Sequence, residues 1–165
     1  MSTRIAGLLF GLTLANVGSG TVAFGDSTPA AVSIDILRHP ISAKVKHLLA
    51  EAMRRMDAGE HETAISELKG MLTKHPESAP YAELLLGAEY VKTEQFDAAV
   101  KAFEVAAMWL PHDAMTRYNL GLAVLCTGDY PRAEQEVRRA LELDPTNERI
   151  RKRLPVLRLL SCSAN

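Results

Sequence analysis

His61 and Glu62 begin the His-Glu-x-x-His pattern, in which two imidazoles one helical turn apart bind zinc and the glutamate acts as general base. The residue four beyond His61 is Ile65, so the second ligand is missing. The remaining histidines, His39, His47, His75 and His112, show no metal-ligand spacing, and three of the five lie near the ends of expected helices, where an imidazole is solvated or capping. Gly25-Asp26-Ser27 sets a serine beside an acid, with no histidine in recognisable context to complete a nucleophile relay. No glycine-rich phosphate loop precedes a helix. The residues therefore point away from an enzyme and call for no cofactor or metal.

Charge narrows the partners. Nineteen basic and 20 acidic residues leave a net charge of -1, which is not the balance of a chain built to grip a polyanion. From Pro145 onward Arg149, Arg151, Lys152, Arg153 and Arg158 stand against Glu148 alone. No aromatic residue is interleaved among them for base stacking, so this tail reads as the solvated face of a last helix and not as a nucleic-acid or lipid patch.

The N-terminus is of another kind. Arg4 is the only charge before Asp26, Ile5 to Ala15 is apolar, and Thr21-Val22-Ala23 and Ala23-Phe24-Gly25 are small-x-small cleavage sites. Residues 1–25 read as a secretory signal peptide. An uncleaved anchor is the alternative, and membrane contact is expected only in that case; five glycines with Asn16 and Ser19 make the stretch a poor spanning helix. Residues 26–41 form a linker in which Pro29 and Pro40 fence the alternation Val32, Ile34, Ile36. A lone strand has no sheet to join, so the linker is expected to lie extended on the helices.

From Ser42, a helix cap, the pattern is helical and repeats itself. Leu86 and Leu120, Gly87 and Gly121, Phe96 and Tyr130, Ala99 and Ala133, Ala106 and Ala140, and Pro111 and Pro145 are each 34 residues apart. Each unit holds two helices, about 81–92 with 96–109 and about 115–126 with 130–143, by apolar spacing and by the stops at Pro111 and Pro145. Gly128-Asp129 makes a turn, Asp129 caps the helix after it, and Pro131 sits in the first turn, where its missing N–H is harmless. The first unit is degenerate. Its second helix matches at an offset of 35, with Ala64, Leu68, Met71 and Pro76. Its first helix matches either at 35, which gives Glu51 and Arg55, or at 34, which gives Ala52 and Met56.

The sequence Leu-Gly, aromatic, Ala, aromatic or aliphatic, Ala, Pro at this period resembles the tetratricopeptide repeat (TPR) family. The resemblance implies an all-α solenoid with repeats at about 45–78, 80–113 and 114–147, and a capping helix at about 147–160 that Pro155 should bend or interrupt. Together, residues 42–165 form the repeat domain. Leu86, Gly87, Ala99, Phe103, Ala106, Pro111, Leu120, Gly121, Ala133, Ala140 and Pro145 are the packing set, the small ones leaving room for a neighbouring backbone, so that Ala99→Leu or Gly121→Val should overpack. In such a stack the ends of the first helix of the last repeat and of the cap lie side by side, and Cys126 and Cys162 can pair in an oxidising compartment or remain two thiols.

In TPR folds the first helices line a groove that holds another protein. Here the corresponding stripe is Tyr81, Leu84, Ala88 and Val91 with Lys92, then Met115, Tyr118, Leu122 and Leu125, continued by Leu49, Met53 and Met56. Groups that clamp a peptide carboxylate are replaced by Leu49, Met53 and Met115, with only Asn119 of that kind, so the expected ligand is an apolar or amphipathic segment. Glutamate at positions 84 and 118 is expected to abolish capture without unfolding. The implied role is a non-enzymatic interaction module or assembly scaffold, exported and periplasmic. The competing reading is a structural subunit that forms a homodimer through the apolar face.

Overall fold

The Ser42 hydroxyl accepts the backbone N–H of Val45 at 3.2 Å and so starts the helical region. The computed structural model describes residues 39–163, without the side chains of 160–163. The segment read as a signal peptide, the alternation Val32, Ile34, Ile36 and the Cys162 side chain lie outside the described residues. Those described form seven helices and no strand. They are α1 (Ala43–Asp57), α2 (His61–Lys74), α3 (Ala79–Lys92), α4 (Phe96–Trp109), α5 (Ala114–Thr127), α6 (Tyr130–Leu143) and α7 (Glu148–Ser163). A 3-10 turn, Pro76–Ser78, leads into α3. The chain is an all-α solenoid in which α1/α2, α3/α4 and α5/α6 are hairpins, each packed on the next, with α7 closing the stack on α6.

Local chemistry explains the boundaries. Asp113 accepts the Thr116 N–H at 2.6 Å and its hydroxyl at 2.7 Å, capping α5. Asp129 accepts the Arg132 N–H at 3.1 Å at the head of α6, and Asn147 accepts the Ile150 N–H at 3.3 Å at the head of α7. Gly128 ends α5 at φ +90°, a left-handed conformation that costs glycine nothing. Gly59 takes the same place in the first hairpin at φ +78°. Pro155 does not interrupt α7, which continues to Ser163. The proline is exposed, so the carbonyl it orphans is left to water.

The core runs unbroken through all three hairpins and into α7, from Val45, Ala52 and Met56 to Ile150, Leu154 and Leu157. Within α3/α4 and within α5/α6 the close approach is made by a glycine. A Cβ on Gly87 would lie 2.7 Å from the Phe103 ring, and one on Gly121 would lie 2.7 Å from Val137 Cγ2 and 3.2 Å from the Ala133 carbonyl oxygen. Ala99, Ala106, Ala133 and Ala140 are wholly buried on the second helices, while Leu86, Phe103 and Leu120 fill the space around them. Pro111 and Pro145 follow the ends of α4 and α6, outside both helices.

The register of the first hairpin follows from its backbone bonds. Ala58, Gly59 and Glu60 donate to the carbonyls of Arg54, Met56 and Arg55. Thr93, Glu94 and Gln95 donate to those of Glu89, Val91 and Tyr90 in the same way, each 35 residues on. The whole first hairpin thus follows the offset of 35, and Arg55 takes the place of Tyr90. Charge replaces the apolar contact there: Arg55 pairs with Glu67 of α2 at 2.7 Å and with Glu60 at 2.9 Å.

Candidate functional site

Helices α3 and α5 are apolar nearly all round, as befits helices covered on more than one side. Each first helix touches the next as well as its own partner, α1 with α3 and α3 with α5. This arrangement corrects the expected groove. Leu84, Val91, Tyr118, Leu122 and Leu125 are buried members of the continuous core, not an exposed lining. A glutamate at position 84 or 118 would stand in that core, so it cannot test binding separately from folding. Leu49 and Met56 are buried too, and Met53 is half-buried.

The stripe is narrower than the sequence suggests but still continuous. On α3 the groups left half-buried include Tyr81, Ala88 and Lys92, at spacings of seven and four, which is one helix face. On α5, Met115, Asn119 and Cys126 repeat it at four and seven. The two ends of the stripes correspond at 34 residues, Tyr81 with Met115 and Lys92 with Cys126. Partial burial raises the Tyr81 phenol above its ordinary pKa. Asn147, ahead of α7, brings its amide within 3.8 Å of Met115 Sδ and closes one end.

Cys126 is a free, half-buried thiol, and desolvation pushes it up to about 11. This makes it a poor nucleophile. The Tyr118 hydroxyl is buried and has no hydrogen-bond partner among the described residues.

One polar cluster escaped the sequence reading. Glu89 of α3 is fully buried, with Oε2 at 2.7 Å from His61 Nδ1 and Oε1 at 2.8 Å from Lys92 Nζ. His61 is therefore tied to a carboxylate of the next repeat and is not simply a solvated helix end. The available signal was the repeat itself, since the residue 34 beyond Glu89 is Ala123, equally buried. A carboxylate at an alanine position of a packed helix requires partners. The pair ties repeat one to repeat two and restrains Lys92 at the stripe's edge. Glu136 of α6, also buried, is paired with Arg117 at 3.2 Å and Arg139 at 2.9 Å. Among the described residues no group of three or more His, Cys, Asp or Glu is placed to hold a metal ion, and no helix is long and apolar enough to cross a membrane.

Comparison with known proteins agrees with this geometry. Residues 84–148 match the tetratricopeptide repeat model. No curated protein matches. MamA 41-end from Desulfovibrio magneticus RS-1 superposes with a TM-score of 0.65 at 22% identity, over 70% of this chain and 64% of that one, so this chain spans less than two thirds of it. The first TPR of Spaghetti (RPAP3), bound to the HSP90 peptide SRMEEVD, gives 0.68 at 18% identity over 75% and 98%. The type III secretion translocator chaperone SycD of Yersinia enterocolitica gives 0.65 at 19% over 74% and 90%. Paired helices at a 34-residue offset, glycine at the close crossings and the matched repeat model together identify residues 84–148 as tetratricopeptide repeats within a solenoid of that fold.

Proposed function

We propose that the chain is a non-enzymatic protein-interaction module, an assembly scaffold of the bacterial envelope that holds an apolar or amphipathic segment of a partner along α3 and α5. The carrying observation is the half-buried stripe of Tyr81, Ala88, Lys92, Met115, Asn119 and Cys126, set over a continuous core. Methionine supplies adaptable contact and tyrosine an anchor with a polar tip. Lys92 is already engaged by Glu89, which disfavours a ligand recognised chiefly by its carboxylates. Structures of the same fold include one bound to a peptide and one described as a secretion chaperone. Export is supported by Arg4, the apolar run Ile5 to Ala15 and the small residues after it.

The test uses groups that reach the surface. Ala88→Glu with Met115→Glu is expected to keep the helical circular dichroism and the urea midpoint of the parent, and to lose the partner that co-purifies with the parent from its native compartment. Undiminished co-purification by the folded double variant contradicts this placement of the site.

A further inference from the structure

The last two turns of α4 carry Val105, Met108 and Trp109 on one face, 36%, 80% and 43% exposed. Stacking of the repeats does not call for apolar groups there. The corresponding residues are Gly70, Thr73 and Lys74 in α2, and Arg139, Glu142 and Leu143 in α6, so the patch belongs to the middle repeat alone. Helix α4 packs on α3 and α5 with its other sides, and the exposed face therefore points away from the α3/α5 stripe.

Toward the head of α4 the same face turns polar. Lys101 stands one turn before Val105, exposed and without an ion pair or hydrogen bond among the described residues. Glu104, three residues beyond it, is taken by Arg132 of α6. The His39 ring, edge-on at 5.4 Å between centroids, holds the indole of Trp109 at the other end of the face. Val105 thus has a free cation four residues before it and an aromatic ring four residues after it, each at a helical rise of about 6 Å.

We propose that a second copy of the chain packs on this face, α4 against α4 and antiparallel, with the two-fold axis at Val105. The equal spacing makes the face complementary to itself, as a contact between identical surfaces requires. Val105 meets its own counterpart, and Lys101 of each copy comes level with Trp109 of the other. The lysine stem then covers Met108 while its ammonium lies on the indole, a cation–π contact made twice. A parallel arrangement would instead set Lys101 against Lys101. One face of a 14-residue helix, about 21 Å long, offers less than the roughly 800 Å² per partner of a standard interface. The dimer is therefore weak and exchanges with the monomer, and it leaves the α3/α5 stripe to a partner.

Sedimentation velocity of the full chain over a dilution series is expected to show the mass of one copy when dilute and of two when concentrated. Trp109, the only tryptophan, should shift its emission to the blue as the copies associate. Val105→Glu and Val105→Lys, each with the parent's circular dichroism, should keep the mass of one copy, because like charges meet at the axis. An equimolar mixture of these two variants should regain the dimer, since opposite charges then meet. Lys101→Ala should weaken association severalfold through the lost cation–π contact. Should substitution at Val105 disturb folding, Met108→Glu at the most exposed apolar position serves in its place and should likewise abolish the dimer. A parent of one copy's mass at every concentration overturns the proposal. So does a dimer that survives these charged substitutions, or a mixture of the two folded Val105 variants that stays monomeric.

Discussion

Glu94 stands at φ +58° in the turn between α3 and α4, where the other two hairpins place Gly59 and Gly128. A side chain in that conformation costs about 1–2 kcal/mol, so Glu94→Gly is expected to stabilise the protein by about 1 kcal/mol, read as a higher urea midpoint at unchanged slope. A midpoint at or below the parent's contradicts the strained turn. The sequence announces the Gly128 turn through Gly-Asp, but a glutamate carries no turn signal, and only the backbone reveals that all three turns pass through a positive φ at this place. Cys126 gives a prediction in pH. Its thiol is pushed from 9.0 up to about 11, so at pH 8 the folded chain should be alkylated there about a hundredfold more slowly than the unfolded chain. Below pH 9 both states keep the proton and the thiol adds no pH dependence. Between 9 and 11 the unfolded chain releases it first, so this contribution to stability falls as pH rises and is lost through the folded pKa. Peptide mapping of label at Cys126 checks the rate.

At the scale of the helix, the two crossing glycines differ in how far their neighbours can yield. At Gly121 an added Cβ meets Val137, a stiff branched side chain, and backbone atoms of Ala133 and Val137 at 3.2 Å. At Gly87 the three nearest atoms all belong to the Phe103 ring, at 2.7–2.8 Å, and none is backbone. Gly121→Ala is expected to destabilise by about 1–3 kcal/mol and Gly87→Ala by less, both offset in part by the better helix propensity of alanine. Equal urea midpoints for the two variants would argue against this packing. Tyr118 separates core from groove: Tyr118→Phe removes an unpaired buried hydroxyl and should leave stability equal or higher, whereas Tyr118→Glu should unfold the α5 hairpin. The helices themselves were legible because Gly, Ala and Pro recur at fixed offsets. The groove was only partly legible, because periodicity gives the face on which a residue stands and not whether the neighbouring first helix covers it. Leu84 and Tyr118 share a face with Tyr81 and Met115, yet only the latter two remain accessible. Ion pairs between repeats are less legible: Glu89 with His61 and Arg132 with Glu104 each join residues 28 apart, but the charged positions are not carried from one unit to the next.

For the whole molecule, three hairpins and α7 build one continuous core, and the surface divides into a stripe along α3 and α5 and a patch at the end of α4. The fold was legible from the repeat because each unit can bury its apolar faces only by stacking on the next. Partner and compartment leave no such periodic trace, and they rest on the stripe's chemistry and on the N-terminal run. The most direct test of the central claim is site-specific photocross-linking in the native compartment, with the probe placed in turn at Ala88 and Met115 on the stripe and at Lys101 and Gln135 on exposed faces of α4 and α6. The account predicts one and the same discrete partner adduct from positions 88 and 115 and none of it from 101 and 135, any crosslink between two copies being told apart by its doubled mass. That adduct in equal yield from all four positions, or from 101 and 135 alone, would contradict it.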